Sequence, residues 1–161
     1  MTDLNFKDVW FVYFHDYMDT NWNRESYEII TKIDNVINFW TTFNIIKHKL
    51  SLGMFFFMKE NIFPKWDDND NKDFSFLSLK ILKTDVETFI EQILIRLFNN
   101  TLIEKTYTEY LSGISISPKK NFCILKIWVS STNDVLKSTS LYDIPKSYHG
   151  DILFKNNLAT Y

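Results

Sequence analysis

The stretch FSFLSLKILKTDVETFIEQILIRLF, residues 74–98, changes its apolar period halfway along. From Phe74 to Leu82 apolar and polar residues largely alternate, the mark of a strand with one face buried. From Thr84 onward Val86, Phe89, Ile90, Ile93, Leu94 and Leu97 recur on one helical face, behind a capping-box pattern of Thr84 with Glu87. A strand feeding directly into an amphipathic helix, in a chain with few such switches, decides between an all-β and a mixed architecture.

Outward from it, VWFVYFH (9–15), YEIITKI (27–33), GMFFFMK (53–59) and DILFK (151–155) read as further strands. EYLSGISIS (109–117) and FCILKIWVS (122–130) flank the turn PKKN and read as a hairpin. DNVINFWTTFNIIKHKL (34–50) carries Val36, Phe39, Trp40, Phe43 and Ile46 at helical spacing, with Asp34 as the expected N-cap. A short helix near NDVLKSTSLYD is weakly marked. Hairpin connections with two clear helices give an α+β expectation: a mostly antiparallel sheet with its helices on one face and the other face free for a ligand. No linker, repeat or low-complexity segment divides residues 1–161, so one domain is expected.

The 161 residues are 45% hydrophobic and 24% charged, as globular chains are, but 17% are aromatic and only three are glycine. A net charge of −2 argues against a general nucleic-acid binder, which needs a basic face, yet leaves room for a site holding one or a few nucleotides. Cys123 is the sole cysteine, so neither a disulfide nor a cysteine zinc site can form within the chain. The amino terminus lacks a signal-peptide pattern, and the longest apolar run, MFFFM (54–58), is too short to cross a bilayer. A soluble, cytoplasmic protein is the expectation, without cofactor or membrane partner.

Catalytic motifs are missing. His15, His48 and His149 stand apart from any nucleophile or ligand partner and read as ordinary histidines; Cys123 reads as a buried thiol. DDNDNKD (67–73) invites a calcium loop, but counting from Asp67 or Asp68 puts neither glycine at the sixth place nor glutamate at the twelfth. A solvated acidic loop is the better reading. Trp10, Trp40 and Trp128 lie in apolar contexts and read as core. Trp22 and Trp66 lie in polar loops. Each is either pressed into neighbouring core or, if the loops leave the same end of the sheet, one wall of a slot for a flat ring. Such stacking contributes roughly 1–3 kcal/mol per base, and a cationic ring gains more. Asp67, beside Trp66, could accept both the N1–H and the exocyclic amine of guanine, a donor pair that adenine lacks.

Together these residues resemble the cap-binding translation initiation factor 4E family. The likeness runs through VWFVYF, FWTTFNII (39–46), FFMKENIFPKWDDNDN (56–71), TFIEQIL (88–94) and LKIW (125–128), and all five tryptophans fall on tryptophan positions of the family pattern. It implies a curved sheet with helices on its convex face, and no enzymatic activity. The implied ligand is the 7-methylguanosine cap of messenger RNA, sandwiched by Trp22 and Trp66, read by Asp67, with Trp128 near the N7 methyl group. Lys119 and Lys155 (the latter in HGDILFK, 149–155) would hold the phosphates. The resemblance also implies a groove formed by Val36, Trp40, Ile90 and Leu94 for an amphipathic helix of a 4G-type scaffold or a 4E-binding repressor. From the residues alone Trp40 would be core, Lys119 a hairpin lysine and Lys155 a solubilising one.

The chain departs from the pattern in several places. Asp67 replaces a glutamate one methylene longer, with Asp68 as a substitute. A family lysine falls on Ile124, leaving its role to Lys120 or Lys126. Tyr13 and Phe76 stand where the family has tryptophan-bearing sequence. A compact, divergent monomer is expected, with a large DNA virus as one candidate source. Rival readings are a cap-binding repressor or decoy, a cap-processing enzyme, and an interaction module without cap binding.

Overall fold

The computed structural model describes residues 4–157. Seven strands form one sheet, β1 (Asn5–His15), β2 (Tyr27–Asn35), β3 (Met54–Lys59), β4 (Ser75–Leu82), β5 (Leu111–Pro118), β6 (Phe122–Val129) and β7 (Ile152–Asn156). Their order is β2-β1-β3-β5-β6-β4-β7, and every neighbouring pair is antiparallel. Helices α1 (Val36–Ile46) and α2 (Val86–Phe98) complete the α+β architecture.

The helix starts differ from expectation. Asn35, not Asp34, caps α1: its side chain accepts from the Asn38 N–H while the Asn38 side chain accepts from the Asn35 N–H, a closed capping box. Asp34 instead accepts from both amides, of Asn35 and Asn38. The helix ends at Ile46 and tightens into a 3-10 turn over Lys47–Lys49. At α2 the Thr84–Glu87 box does not form, because the helix begins at Val86 and Asp85 makes no side-chain cap bond. Glu87 pairs with His48 at 2.8 Å. The weak helix near residue 134 is two 3-10 turns, Asp134–Lys137 and Thr139–Leu141.

Both helices pack on one face of the sheet. Phe39, Phe43 and Ile46 of α1, with Phe89, Ile93 and Leu97 of α2, meet Val12, Phe57, Leu77, Leu79, Ile114, Leu125 and Ile127 in one core. Phe98 is its hub, touching Phe6, Trp10, Phe39 and Phe57 at 5.1–6.5 Å between ring centres. Removing such a ring costs about 3–5 kcal/mol. Ile90 and Leu94, expected on a partner-binding surface, are fully buried in this core. They support any groove from below, while Val36 and Trp40 stay half-buried at its surface.

The opposite face holds a second, smaller cluster of Tyr27, Phe56, Met58, Phe74, Phe76 and Trp128, flanked by Tyr13, Ile62 and Phe63. Gly113 keeps that face continuous. It sits at a β5 bulge with φ +154, and a Cβ there would lie 2.2 Å from the Phe57 carbonyl oxygen. The bulge sets Gly113 opposite Trp128.

Candidate functional site

Register rules out the simple picture of two tryptophan loops leaving the same end of the sheet. His15, which ends β1, pairs with Met54, the first residue of β3, and Trp10 pairs with Lys59, the last. The β1–β2 and β3–β4 loops therefore leave opposite ends, and the second folds back across the sheet. Phe63 carries it: its ring lies 4.9 Å from Tyr27 and 5.5 Å from Tyr13, and the Arg24 guanidinium covers it at 4.3 Å. Arg24 then bonds the Asp68 carboxylate at 2.6 Å. One arginine thus clips the Trp22 loop to the Trp66 loop.

Each loop also has its own frame. In the first, Asp16 accepts from the Met18 N–H, Asp19 from Asn21 and Asn21 from Asn23, three turns in which a short side chain folds the backbone two residues on. His15 is fully buried and donates from Nε2 to the Asn21 carbonyl at 2.8 Å. Its ring lies under the Trp22 indole, 3.8 Å away and within 3° of parallel. His15 is thus a buried, hydrogen-bonded histidine that also serves as a platform for Trp22. In the second loop Asn71, nearly buried, donates to the carbonyls of Phe63 and Lys65. Asn157 donates to those of Trp66 and Asn71. The acidic run is therefore only partly a solvated loop. No cluster of three or more potential metal ligands occurs among the described residues.

On these frames both indoles remain accessible: Trp22 is 42% exposed and Trp66 48%. Trp10 at 0% and Trp128 at 3% are not. Trp128 donates from Nε1 to Ser115 and meets Phe76 edge-on at 4.9 Å, so it belongs to the floor of the site rather than its walls. Asp67 is exposed, with Lys65 3.7 Å away. Its carboxylate reaches Tyr27 electrostatically. Burial first, and then Asp67, push that phenol up to about 12. Tyr27 in turn borders Trp22, 6.2 Å away. Asp68 does not stand in for Asp67. The Asp70 N–H and then Arg24 hold it below the usual carboxylate range, and both commit it to the loop.

Lysines gather on the same face of β4, β6 and β7. Lys126 is opposite Ser78 and Ser115, and Lys155 is opposite Phe76. Partial burial, then the like charges of Lys155 and Lys119, hold the Lys126 amine below the ordinary lysine value. Three ammonium groups near one another favour an anion. Ile124 lies on the same side of β6 as Lys126, two residues away, so Lys126 occupies the neighbouring place on that strand. Lys120 is exposed in the hairpin turn.

A family profile described as eukaryotic initiation factor 4E matches residues 5–154. The chain belongs to that family. It is 27% identical over 118 residues to mouse eukaryotic translation initiation factor 4E type 1B, an alignment taking in 69% of this chain and 48% of the mouse protein. The chain thus spans about half the length of that relative. Its fold is that of C. elegans eIF4E-3, solved with the 4E-binding protein Mextli and a cap analogue (TM-score 0.74, 17% identity, 84% of this chain and 80% of that one). Ascaris suum eIF4E-3, solved with an m2,2,7G cap, is similarly close (TM-score 0.73, 16% identity, 84% and 79%). So is a schistosome eIF4E solved with m7GpppG and 4E-BP (TM-score 0.73, 17% identity, 84% and 77%).

Against this frame the residues that sequence alone did not single out are His15, Arg24, Tyr27, Asn71 and Asn157. Arg24 and Asp68 are 44 residues apart, and Asn157 and Trp66 are 91 apart. The only local hint was a polar loop of unusual asparagine content.

Proposed function

We propose that this protein binds the 7-methylguanosine cap of messenger RNA and presents the message to a translation initiation scaffold. The observation that carries the reading is the placement of Asp67, next to exposed Trp66 and within electrostatic reach of Tyr27, which borders exposed Trp22. A carboxylate beside one accessible indole, acting on the phenol that borders the other, suits a flat cation that offers two adjacent N–H donors. N7-methylguanine has both properties; unmethylated guanine lacks the charge. Trp22 and Trp66 stack on its two faces. His15 backs Trp22, so the indole meets the ligand already oriented. Asp67 accepts the N1–H and the amine, the Trp66 N–H faces O6, and Trp128 lies beneath the N7 methyl group. Lys126, Lys155 and Lys119 neutralise the phosphates, with Lys120 at the rim. Binding relieves the mutual repulsion around Lys126.

Family membership and relatives solved with cap analogues support the reading. Val36 and Trp40, half-buried on α1, offer a partner's amphipathic helix its footing, and two relatives were solved with 4E-binding proteins. Retention on immobilised 7-methyl-GTP, with GTP as competitor, tests the cap site. The expected result is retention that GTP does not displace and that Asp67→Asn weakens. Release by GTP would refute it. Loss of a 4G-type peptide in Trp40→Ala would mark a presenting factor; no peptide binding by the unaltered protein would mark a decoy.

A further inference from the structure

The surroundings of His15 distinguish its two charge states. The ring is fully buried, and Nε2 donates to the carbonyl of Asn21, one residue before Trp22. In the neutral imidazole Nδ1 then carries the lone pair. Nδ1 is buried as well and has no hydrogen-bond partner among the described residues. A second proton would arrive where no acceptor meets it. It would also put a positive charge 3.8 Å beneath the Trp22 indole, on a ring within 3° of parallel. Nothing packed around His15 offsets that charge. Tyr27 of β2, 5.1 Å away, has its phenol pushed up to about 12 and stays neutral wherever histidines titrate. β3 sets uncharged Met54 opposite His15. In the Trp22 loop Asp16 accepts from the Met18 N–H and Asp19 from the Asn21 N–H, while Arg24 pairs with Asp68. From the second loop Asp67 acts on Tyr27 and pairs with Lys65. No ion pair joins His15 to a carboxylate among the described residues.

We propose that His15 is a positioning residue that supports the cap through Trp22 only while its own imidazole is neutral, so that acid weakens cap binding. The proposal rests on the cap reading above and adds the regulation of that site. An indole face attracts a cation through its ring quadrupole. An imidazolium below Trp22 and a methylated guanine above it would be two cations sharing one ring. At about twice the observed ring spacing they repel through protein rather than through bulk water. An uncharged purine would meet no such repulsion, so the effect belongs to the methylated ligand. The sign follows. The cap favours the neutral ring, so affinity is full above the range where histidines titrate and is lost as pH falls through it. Reciprocally, a bound cap makes the imidazole harder to protonate.

The test measures affinity for 7-methyl-GTP at about pH 7.5 and about pH 5.5, in the unaltered protein and in His15→Phe. Phenylalanine keeps a flat ring under the indole but cannot take a proton. Titration of the ligand and of Asp67 is common to both proteins, so the difference between them belongs to position 15. The expected result is that acid costs the unaltered protein about tenfold more affinity than it costs the variant. Proton NMR of the unaltered protein gives a second reading that needs no variant to fold. The His15 ring signal should switch to its protonated form at lower pH with 7-methyl-GTP bound than without it, while exposed His48 and His149 change little. If acid costs both proteins alike, or the His15 signal titrates identically with and without ligand, the inference falls and the cap reading stands. If 7-methyl-GTP binds at neither pH, both fall.

Discussion

The two faces of the sheet use aromatic residues for different ends. On the helix side Trp10, Phe57 and Phe98 are sealed between strands and helices, and the first two rings meet Phe98 edge-on in a closed core. On the other side neither α1 nor α2 covers the strands. A folded-back loop and a small aromatic floor do so instead, and two indoles stay open to solvent. The same residue type is structural where two layers close over it and available for binding where only a loop does. Apolar area on the second face adds less to stability, but it leaves a preformed surface for a flat ligand.

Substitution of tryptophans on the two faces should separate these ends most sharply. Trp10→Ala should cost about 3–5 kcal/mol of stability, measured by urea unfolding. Trp66→Ala should change stability by no more than about 0.5 kcal/mol while costing about 1–3 kcal/mol of cap affinity. A destabilised Trp66→Ala would erase the distinction between the faces.

A pH titration without ligand sharpens the same contrast. The Tyr27 phenol is raised in the folded state to about 12 from its ordinary value near 10. At this group the folded and unfolded chains hold the same proton below pH 10. Between 10 and 12 the folded chain holds more, so stability falls as pH rises through that window, by about 2 kcal/mol from this group. Tyr27→Phe should remove that share of the alkaline loss. Asp67→Asn should lower the phenol's value only slightly, since burial is the larger cause. An unmoved value would place Asp67 away from Tyr27.

The smallest expected effect concerns the clip. Arg24→Ala frees Asp68 and uncovers Phe63, so cap affinity should drop by about 1 kcal/mol as the loops lose register. Global stability should barely change. Calorimetric affinity and thermal unfolding, taken together, check both.

What the sequence made legible follows from distance along the chain. Period switches marked both helices and the strands, and loop context alone separated Trp22 and Trp66 from Trp10 and Trp128. Local capping signals were less secure. Thr84 and Glu87 have the right spacing, yet the helix starts two residues after Thr84, and Glu87 turns to His48. The fold-back of the Trp66 loop was invisible because it depends on Arg24, Phe63 and Asn157, each joined to partners dozens of residues away. His15 carried no local mark either; its role comes from the indole that settles on it.

The central claim is that Trp22 and Trp66 hold a cationic purine between them. Indole fluorescence during titration with 7-methyl-GTP tests it directly, because a charged ring stacked on indole quenches emission. The account predicts saturable quenching that is reduced in Trp22→Phe, reduced in Trp66→Phe and undiminished in Trp40→Phe. Emission that stays constant in the unaltered protein, or quenching that survives both loop substitutions, would contradict it.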